Sequence, residues 1–455
     1  MIAATMNPRT RLLLEGPIIG TLLRMAWPNV LVMMAQASTG LIETWWVGHL
    51  GTDALAGMAL VFPGFMMMQM FSGGAMGGGI SSAIARALGS GRRHDAEALV
   101  VHALVINGAL GLLFSAVFLI WGEDIYRGMG GRGGSLSAAM QYSNVVFAGN
   151  ILVWGSNALA SVLRGTGNMF VPAMTICVGI VLLIPLSPLL IFGWGPVPAL
   201  GIAGGGWAVV LTNLLTLVLL GVYLRNGRAV VQPRMVALQA RLFWQILKVG
   251  AVASISTFQT TITVGLATAL VGHAAGPDAV AGFGTGSRLE YLMIPVAFGL
   301  GGPLVALVGT NIGAGQKQRA LRIALTGGAV SFVLTETIGL AAAIWPQAWL
   351  SLFDTDPAML ATGIAYLRVA GPCYGFFGMG MTLYFASQGA GRLLWPLLSG
   401  LTRMVIAVGG GWLAITLTGR LDLVFVALAV GLAVYGTMLM TAIASGVWFR
   451  GRQGV

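Results

Sequence analysis

Apolar runs long enough to cross a lipid bilayer recur along almost the whole chain, and they leave few folds open to it. A helix of about 20 apolar residues spans the hydrocarbon core, and only helices and closed barrels satisfy every backbone polar group in lipid. The runs lie at about 25–48, 55–87, 97–121, 136–164, 169–193, 201–224, 243–272, 279–310, 319–345, 358–387, 393–418 and 421–449. Because 57% of the residues are hydrophobic and 8% are charged, we predict an all-α membrane protein with twelve transmembrane helices.

The two halves of the chain resemble each other at a nearly constant offset, which carries Val47 onto Val271. The matching segments are Val47–His49 with Val271–His273, Asp53–Gly57 with Asp278–Gly282, Gly89–Gly91 with Gly313–Gly315, and Tyr142 with Tyr366. Six helices in each half is an even number, so both repeats keep one orientation and are related by an axis along the membrane normal. We therefore predict two six-helix lobes, residues 1–230 and 231–455, related by a pseudo-twofold axis with a substrate cavity between them.

Basic residues are distributed unevenly between the connections. The formal net charge of +11 comes from residues scattered between apolar runs and not from a basic domain, so no nucleic-acid partner is expected. Alternate connections hold only Arg127, Arg132 and Arg420. The other connections, the helix ends beside them and both termini hold Arg9, Arg11, Arg24, Arg86, Arg92, Arg93, Arg164, Arg225, Arg228, Arg234, Arg241, Lys248, Lys317, Arg319, Arg322, Arg392, Arg450 and Arg452. By the positive-inside rule, this predicts a multi-pass protein of the cell (inner) membrane with both termini cytoplasmic.

The sequence contains no motif for a cofactor or a catalytic centre. Cys177 and Cys373 both lie inside apolar runs, so neither a disulfide framework nor a zinc site is expected. The glycine-rich segment Ser72–Gly79 lacks the Lys-Ser or Lys-Thr pair of a nucleotide-binding loop, so helix packing explains it better. We therefore expect no enzyme activity, no metal and no cofactor.

A carboxylate lies within the first predicted helix, at Glu43. One face of this helix carries polar groups, because residues three, four and seven apart superimpose. The residues on that face are Gln36, Thr39, Glu43 and Trp46. A charge at the centre of a membrane helix costs about 2.5–3.5 kcal/mol on insertion scales, so it is usually functional. We predict that Glu43 couples ion movement to transport; a Glu neutralised by a neighbouring helix is the alternative.

Positions that are equivalent in the repeat differ in their chemistry. At the same offset, Ala267 corresponds to Glu43 and Tyr374 to Asn150, which favours ion coupling in the first lobe. We expect an adaptable substrate wall, because rings and thioethers fit many shapes; lipid-facing or core packing of the Met-rich run is the alternative. The candidate substrate-binding residues are Trp46, Phe62, Met66, Met67, Met70, Asn150, Gln259 and Tyr374.

Five further charges lie at membrane depth. They are Arg288, Glu290, Glu336, Arg368 and Arg403. Arg288 and Glu290 lie two residues apart and cannot pair on one helical face, so we expect them to contact other helices. Whether Glu336 pairs with Arg403 is left open by the sequence.

Four segments of the chain carry motifs of a known transporter family. They are Glu43–Gly48, Leu163–Asn168, Gly309–Gly315 and Leu352–Pro357. Together they resemble the MATE (multidrug and toxic compound extrusion) transporters over nearly the full chain, and the first is similar to the family's acidic-Thr-x-x-Val-Gly segment. The resemblance implies export of organic cations or other amphiphiles against entry of protons or sodium. It also implies that Glu43 is the coupling acid, with Gln36 beside it and Asn157 as a third candidate.

The chain departs from the family pattern on helix five. Some members place an Asn and an Asp four residues apart there, where this chain has Leu183 and Ser187. A hard cation gains most from several charged oxygen ligands, whereas a proton needs one carboxylate. We therefore expect export to use protons rather than sodium. We also expect the exporter to be a monomer in the lipid bilayer. The alternatives are a flippase of lipid-linked precursors, which would need several cations in its cavity, and a multi-pass membrane enzyme.

Overall fold

The computed structural model describes residues 7–353 and 355–449, without the side chains of Ala37, Ser38, Leu41, Tyr291 and Leu292. Asp354, part of one family-like segment, and Arg450 and Arg452 of the charge count lie outside the described residues. The α-helices are α1 Pro8–Glu15, α2 Ile18–Gly48, α3 Thr52–Gln69, α4 Gly77–Gly89, α5 Arg93–Gly128, α6 Gly133–Ala148, α7 Asn150–Gly165, α8 Phe170–Phe192, α9 Ile202–Arg225, α10 Ala240–Gly313, α11 Lys317–Ile344, α12 Pro346–Leu350, α13 Pro357–Ala370, α14 Tyr374–Ala390, α15 Leu394–Met404, α16 Gly411–Thr418 and α17 Leu421–Ala444. Met70–Met76 and Val405–Gly410 are π-helical, and Gly371–Cys373 and Val447–Phe449 form 3₁₀ turns.

The described helices account for the twelve predicted spans. Nine of them are long and apolar enough to cross a membrane, and the bent pair α6 and α7 makes a tenth. Helix α10 holds two spans, because Gly276 adopts a φ of 79° inside it and Pro277 follows without an N–H donor. Helices α13 and α14, joined by a 3₁₀ turn, form the last one. The predicted all-α membrane architecture is therefore confirmed.

Contacts between helices divide the described chain into two compact units. The first comprises residues 7–10 and 31–250, and the second comprises residues 11–30 and 251–449. Helix α2 therefore supplies its first turns to the second unit and its remainder, with Glu43, to the first. Helix α10 likewise begins in the first unit and continues in the second. Each unit thus contains helical segments from both halves of the sequence.

Glycines let the helices of the first unit approach closely. A Cβ added to Gly57 of α3 would lie 2.7 Å from the backbone nitrogen of Ala139 in α6. One added to Gly165 of α7 would lie 2.7 Å from the carbonyl oxygen of Ser81 in α4. Because lipid gives helices little hydrophobic reason to associate, such close van der Waals contact supplies much of the packing energy.

The π-helical segment Met70–Met76 explains a change of register between the repeats. The offset between the matching segments Asp53–Gly57 and Asp278–Gly282 is one residue larger than the offset between Gly89–Gly91 and Gly313–Gly315. A π-helical turn adds one residue to an α-helix, and the corresponding part of α10 is α-helical as far as it is described. The additional residue of the first half therefore lies in this segment.

The connection between α9 and α10 is fastened to α5. The fully buried His102 accepts a hydrogen bond at Nε2 from the backbone N–H of Gln239, at 2.8 Å. Its Nδ1 lies 2.9 Å from the carbonyl oxygen of Ala98. Nearby, the guanidinium of Arg241 donates to both oxygens of Asp95, at 2.9 and 3.0 Å. These contacts hold the start of α10 against α5 within the first unit.

Candidate functional site

Glu43 lies on α2 in the first unit, with a partly buried side chain. Its Oε1 atom is shielded from solvent and has no hydrogen-bond partner among the described residues. The carboxylate interacts electrostatically with the phenol of Tyr142, which is buried on α6. Because removal of a carboxylate from water disfavours its charged form, a shielded and unpartnered acid is suited to reversible protonation.

Trp46 lies one turn after Glu43, among other aromatic rings. Its ring centroid lies 4.5 Å from that of Trp45 and 6.2 Å from that of Phe192 on α8. The indole Nε1 is buried and finds no acceptor in the part of the chain that the structure describes. An aromatic surface with a spare hydrogen-bond donor can bind a planar or cationic organic molecule.

Asn157, on α7, connects to the π-helical segment. Its Nδ2 donates to Oε1 of Gln69 at 3.1 Å and to Oγ of Ser72 at 2.8 Å. Gln69 ends α3 and Ser72 lies within Met70–Met76, so Asn157 holds this irregular turn from the neighbouring helix. Its role in ion coupling stays a prediction, and the geometry adds a positioning role.

The other predicted residues of the first unit lie in different surroundings. Gln36 is exposed on α2, and Met66 is 38% exposed on α3. Asn150 is fully buried, and its Nδ2 donates to the carbonyl oxygen of Gly111 at 2.9 Å, which links α7 to α5. Asn150 thus serves helix packing, and its contact with substrate stays a prediction.

The helix-five positions are poor in oxygen ligands. Leu183 is buried and packs with Ala208 and Val209 of α9 in an apolar cluster. Ser187, one turn later, offers one buried hydroxyl oxygen, which has no hydrogen-bond partner within the described segments. A hydrocarbon group and a single hydroxyl are weak ligands for a hard cation.

A second intramembrane carboxylate, Glu290 of α10, is hydrogen-bonded within the second unit. Its Oε1 accepts a hydrogen bond from the Tyr366 hydroxyl at 2.7 Å, and Tyr374 donates to the Tyr366 oxygen at 3.3 Å. Tyr366 and Tyr374 are both buried. Arg403 interacts electrostatically with Glu290. The chain of groups Tyr374–Tyr366–Glu290 therefore joins α14, α13 and α10.

Arg403 and Glu336, whose pairing the sequence leaves open, have separate neighbours. The Arg403 guanidinium carbon lies 5.4 Å from the ring centroid of Phe377 and 5.8 Å from that of Tyr435, which places it in cation–π contact. Glu336 accepts a hydrogen bond at Oε2 from the backbone N–H of Gly375, at 2.7 Å. The acid thereby satisfies a free N–H in the first turn of α14.

Gln259 and Tyr374, both predicted to contact substrate, are buried in the second unit. Gln259 is 8% exposed and packs against α15, where a Cβ added to Gly400 would lie 2.6 Å from its Nε2. Tyr374 is fully buried and hydrogen-bonded to Tyr366. Their contacts with substrate stay predictions.

Sequence reasoning missed the Tyr366–Glu290 network, although the repeat held a signal for it. Tyr142 and Tyr366 occupy equivalent positions, and each interacts with a carboxylate, Glu43 in one unit and Glu290 in the other. The two acids come from different helices, because the position equivalent to Glu43 is Ala267. A buried tyrosine beside an intramembrane acid is thus common to both units.

A family model described as MatE matches the chain twice, over residues 28–189 and 251–413. The chain belongs to the MATE family of transporters. The starts of the two matches agree with the predicted repeat, one match lying in each half of the sequence. The resemblance seen in the four segments is therefore confirmed: this MATE protein is a multi-pass membrane transporter of the multidrug efflux family and not an enzyme.

Relatives and a solved structure agree with this membership. The FAD transporter of Shewanella oneidensis is 29% identical over 405 residues, which cover 87% of each chain. The probable multidrug resistance protein YoeA of Bacillus subtilis is 27% identical over 376 residues, 81% of each chain. A crystal structure of a MATE protein in its bent conformation shares the fold, with a TM-score of 0.89 at 23% identity over 97% of this chain and 98% of that one.

We expect Tyr366→Phe to destabilise the MATE protein more than Tyr142→Phe. The first change removes the hydroxyl that donates to Glu290, and loss of a hydrogen bond to a charged group costs about 1.5–3 kcal/mol. Tyr142 is a matched control, because it is equally buried but has no hydrogen bond to an acid in the described chain. The midpoints of thermal unfolding in detergent measure the difference. Equal midpoints would show that the Tyr366–Glu290 bond does not stabilise the second unit.

Proposed function

We propose that this MATE transporter exports cationic or amphiphilic organic compounds by antiport with protons, and that Glu43 is the coupling carboxylate. The observation that carries the proposal is the shielded Glu43 Oε1, which has no hydrogen-bond partner among the described residues. A proton satisfies such an oxygen without any further ligand. Glu43 therefore alternates between a charged state that attracts a cation and a neutral state that does not.

The proposed cycle uses these two states of Glu43 in turn. The ionised carboxylate attracts a cationic compound from the cytoplasmic side or the inner leaflet, since opposite charges attract strongly where water is excluded. External protonation then neutralises the acid, weakens cation binding and permits release. Return of the transporter with its proton completes one exchange of proton for compound.

Four other residues of the first unit complete the proposed site. Trp46 offers an aromatic face and a spare indole N–H, and the partly exposed thioether of Met66 adapts to different shapes. Asn157 holds the π-helical turn, and such turns are frequent at functional sites. Gln36 adds an exposed amide two turns before the acid. Together these groups suit organic cations of varied size.

The cations of the second unit do not favour a lipid-linked anion as the transported compound. Arg403 lies against the rings of Phe377 and Tyr435, and Arg288 lies 5.8 Å from the ring centroid of Phe353. A flippase cavity would need several cations grouped around one phosphate site. Arg403 and Arg288 lie against different rings, so these contacts do not group them, which supports the drug-export proposal over the flippase.

A flavin nucleotide is the second candidate cargo, because the 29% identical relative from Shewanella oneidensis is named an FAD transporter. A flavin ring would stack on an aromatic side chain such as Trp46. Its phosphates, however, would be repelled by an ionised Glu43. An ionised Glu43 therefore favours an organic cation as the cargo.

We also propose that the transporter is a monomer with both termini in the cytoplasm. The orientation is supported by the excess of basic residues in one set of connections. In this arrangement the connection between α9 and α10 lies on the cytoplasmic side, together with the beginnings of α5 and α11.

We expect Glu43→Gln to abolish pH-driven export while the protein remains folded and inserted. The amide keeps the shape of the side chain but cannot take up or release a proton at the pH values of the transport assay. Glu123→Gln is the control, because Glu123 is an exposed acid that pairs with Arg127 on the same helix. Efflux of a fluorescent organic cation from proteoliposomes measures the effect, and near-normal export by Glu43→Gln would contradict the assignment.

A pH gradient should drive export in potassium-only buffer with no sodium present. The reason is that Leu183 and Ser187 offer one hydroxyl oxygen between them, whereas protonation needs only Glu43. Proteoliposomes loaded either with the organic cation or with FAD test the driving ion and the cargo together. Activity that a sodium gradient restores and a pH gradient cannot drive would refute proton coupling, and pH-driven transport of FAD alone would favour the second cargo.

A cysteine placed at Asn226 should resist an impermeant thiol reagent in intact cells and react once the membrane is opened. Asn226 is exposed in the connection after α9 and avoids the positive φ of 72° at Gly227. Cys177 and Cys373 are first replaced by alanine, so that the introduced cysteine is the thiol that the reagent labels. Rapid labelling in intact cells would place this connection outside and reverse the proposed orientation.

A further inference from the structure

A cavity of about 500 Å³ lies at the beginning of α11 in the second unit. The residues that line it include Ile18, Gln316, Lys317, Gln318, Arg319 and Arg322. Three of these side chains are cationic and two are amides, and no acid lines the cavity in the described chain. The cavity is thus an open depression whose charged lining residues are all positive.

Arg319 lines this cavity, is partly buried, and has one guanidinium donor that no described group accepts from. One guanidinium nitrogen, Nη2, donates to the carbonyl oxygen of Gly16, which fixes the side chain across the entry to α2. The Nε atom is buried and has no hydrogen-bond partner among the described residues. A buried guanidinium N–H without an acceptor is costly, so an anionic acceptor would be favourable here.

The neighbouring cations also have no carboxylate partner within the described segments. Lys317 lies with its Nζ 5.4 Å from the ring centroid of Phe449, and Arg322 is exposed. The acid nearest along the chain to Ile18 is Glu15, and it pairs with Arg11 at 2.8 Å. The positive charge of the cavity is therefore not neutralised by that acid.

The equivalent turn of the first unit shows that the fold does not require cations without acidic partners at this place. Gly91 and Gly315 both adopt a φ of 74°, and each turn closes with the same backbone hydrogen-bond pattern, from Arg92 to Ala87 and from Gln316 to Asn311. The two connections therefore have the same backbone geometry. Only their side chains differ.

In the first unit, acids pair with the cations of this turn and with Arg241 of α10. Arg92 and Arg241 both pair with Asp95, at 3.2 and 2.9 Å, and Arg93 pairs with Glu97 at 3.0 Å. At the offset that relates the two glycine turns, the second unit has Arg319 in place of Asp95 and Leu321 in place of Glu97. The positive-inside rule explains basic residues in both turns, but it does not explain why one turn lacks their acidic partners.

We propose that this cavity binds a phosphate group, as carried by the headgroup of an anionic phospholipid or by a soluble phosphate ester. Arginine presents a planar fork that matches phosphate oxygens, and Lys317 adds a point charge. The site lies at the beginning of α11, a helix long and apolar enough to cross a membrane, and lipid headgroups flank the ends of such helices. A bound phosphate would hold Arg319 in place and would thereby hold the start of α11 against Gly16.

Lipid-dependent thermal unfolding of the purified full-length transporter in detergent tests the proposal. Phosphatidylglycerol should raise the unfolding midpoint of the native protein more than phosphatidylcholine does. The double variant Lys317→Gln/Arg322→Gln should need about tenfold more phosphatidylglycerol for the same rise, because two charge-assisted contacts are lost. Arg92→Gln/Arg93→Gln, in the equivalent and acid-paired turn, is the matched control and should respond like the native protein.

The same thermal unfolding is measured with inorganic phosphate at millimolar concentration. This second measurement distinguishes a lipid headgroup from a soluble ester as the source of the bound phosphate group. A rise with phosphate that the double variant loses identifies a soluble ester, whereas a rise confined to phosphatidylglycerol identifies a lipid headgroup. Gln318→Glu, which adds an acid at an exposed lining position without removing a cation, should weaken either response. Equal responses of the native protein, the double variant and Gln318→Glu would overturn the proposal.

Discussion

Polar groups inside a membrane must find partners within the protein, because lipid offers none, and this requirement explains how three of the charges predicted at membrane depth are placed. Glu290 accepts a hydrogen bond from Tyr366, and Glu336 accepts one from the backbone N–H of Gly375. Arg403 lies over aromatic rings. Glu43 differs, because its Oε1 has no such partner among the described residues. An acid that the protein leaves unsatisfied is the one that a mobile proton can satisfy.

The helices were predictable from the sequence because hydrophobicity and length decide whether a segment spans a bilayer. Their irregularities were not. The π-helical turn Met70–Met76 is hydrogen-bonded by Asn157, which lies on another helix, 85 positions from its partner Ser72. The break in α10 has a local signal, Gly276 followed by Pro277, yet the helix continues on both sides. The division into compact units depends on which helices touch, and neither hydropathy nor repeat length reports that.

The candidate site was predictable from the sequence only for those residues that lie together on one helix. The polar face of α2, with Glu43 and Trp46, follows from helical periodicity alone. Asn150 was predicted from its equivalence with Tyr374 in the repeat, whereas its complete burial and its hydrogen bond to Gly111 of α5 required the structure. The Tyr366–Glu290 bond joins residues 76 positions apart, so its discovery required knowledge of helix neighbours. The equivalence of Tyr142 and Tyr366 was visible in the sequence, but its meaning depends on the acid beside each ring.

The two units keep one backbone plan and distribute their charges in opposite ways. In the first, the cations at the turn near Asp95 are paired, and the intramembrane acid Glu43 has an oxygen without a hydrogen-bond partner in the described chain. In the second, the acid Glu290 is bonded, and the cations near Arg319 lack acidic partners in the described chain. Because the glycine turns have the same φ of 74° in both units, these side chains could diverge without strain in the fold. Each unit thus leaves a different group available, an acid at membrane depth in one and a basic cavity at a helix end in the other. In this duplicated fold the shared backbone geometry fixes where a charge lies, and the side chains alone decide whether the protein itself pairs it.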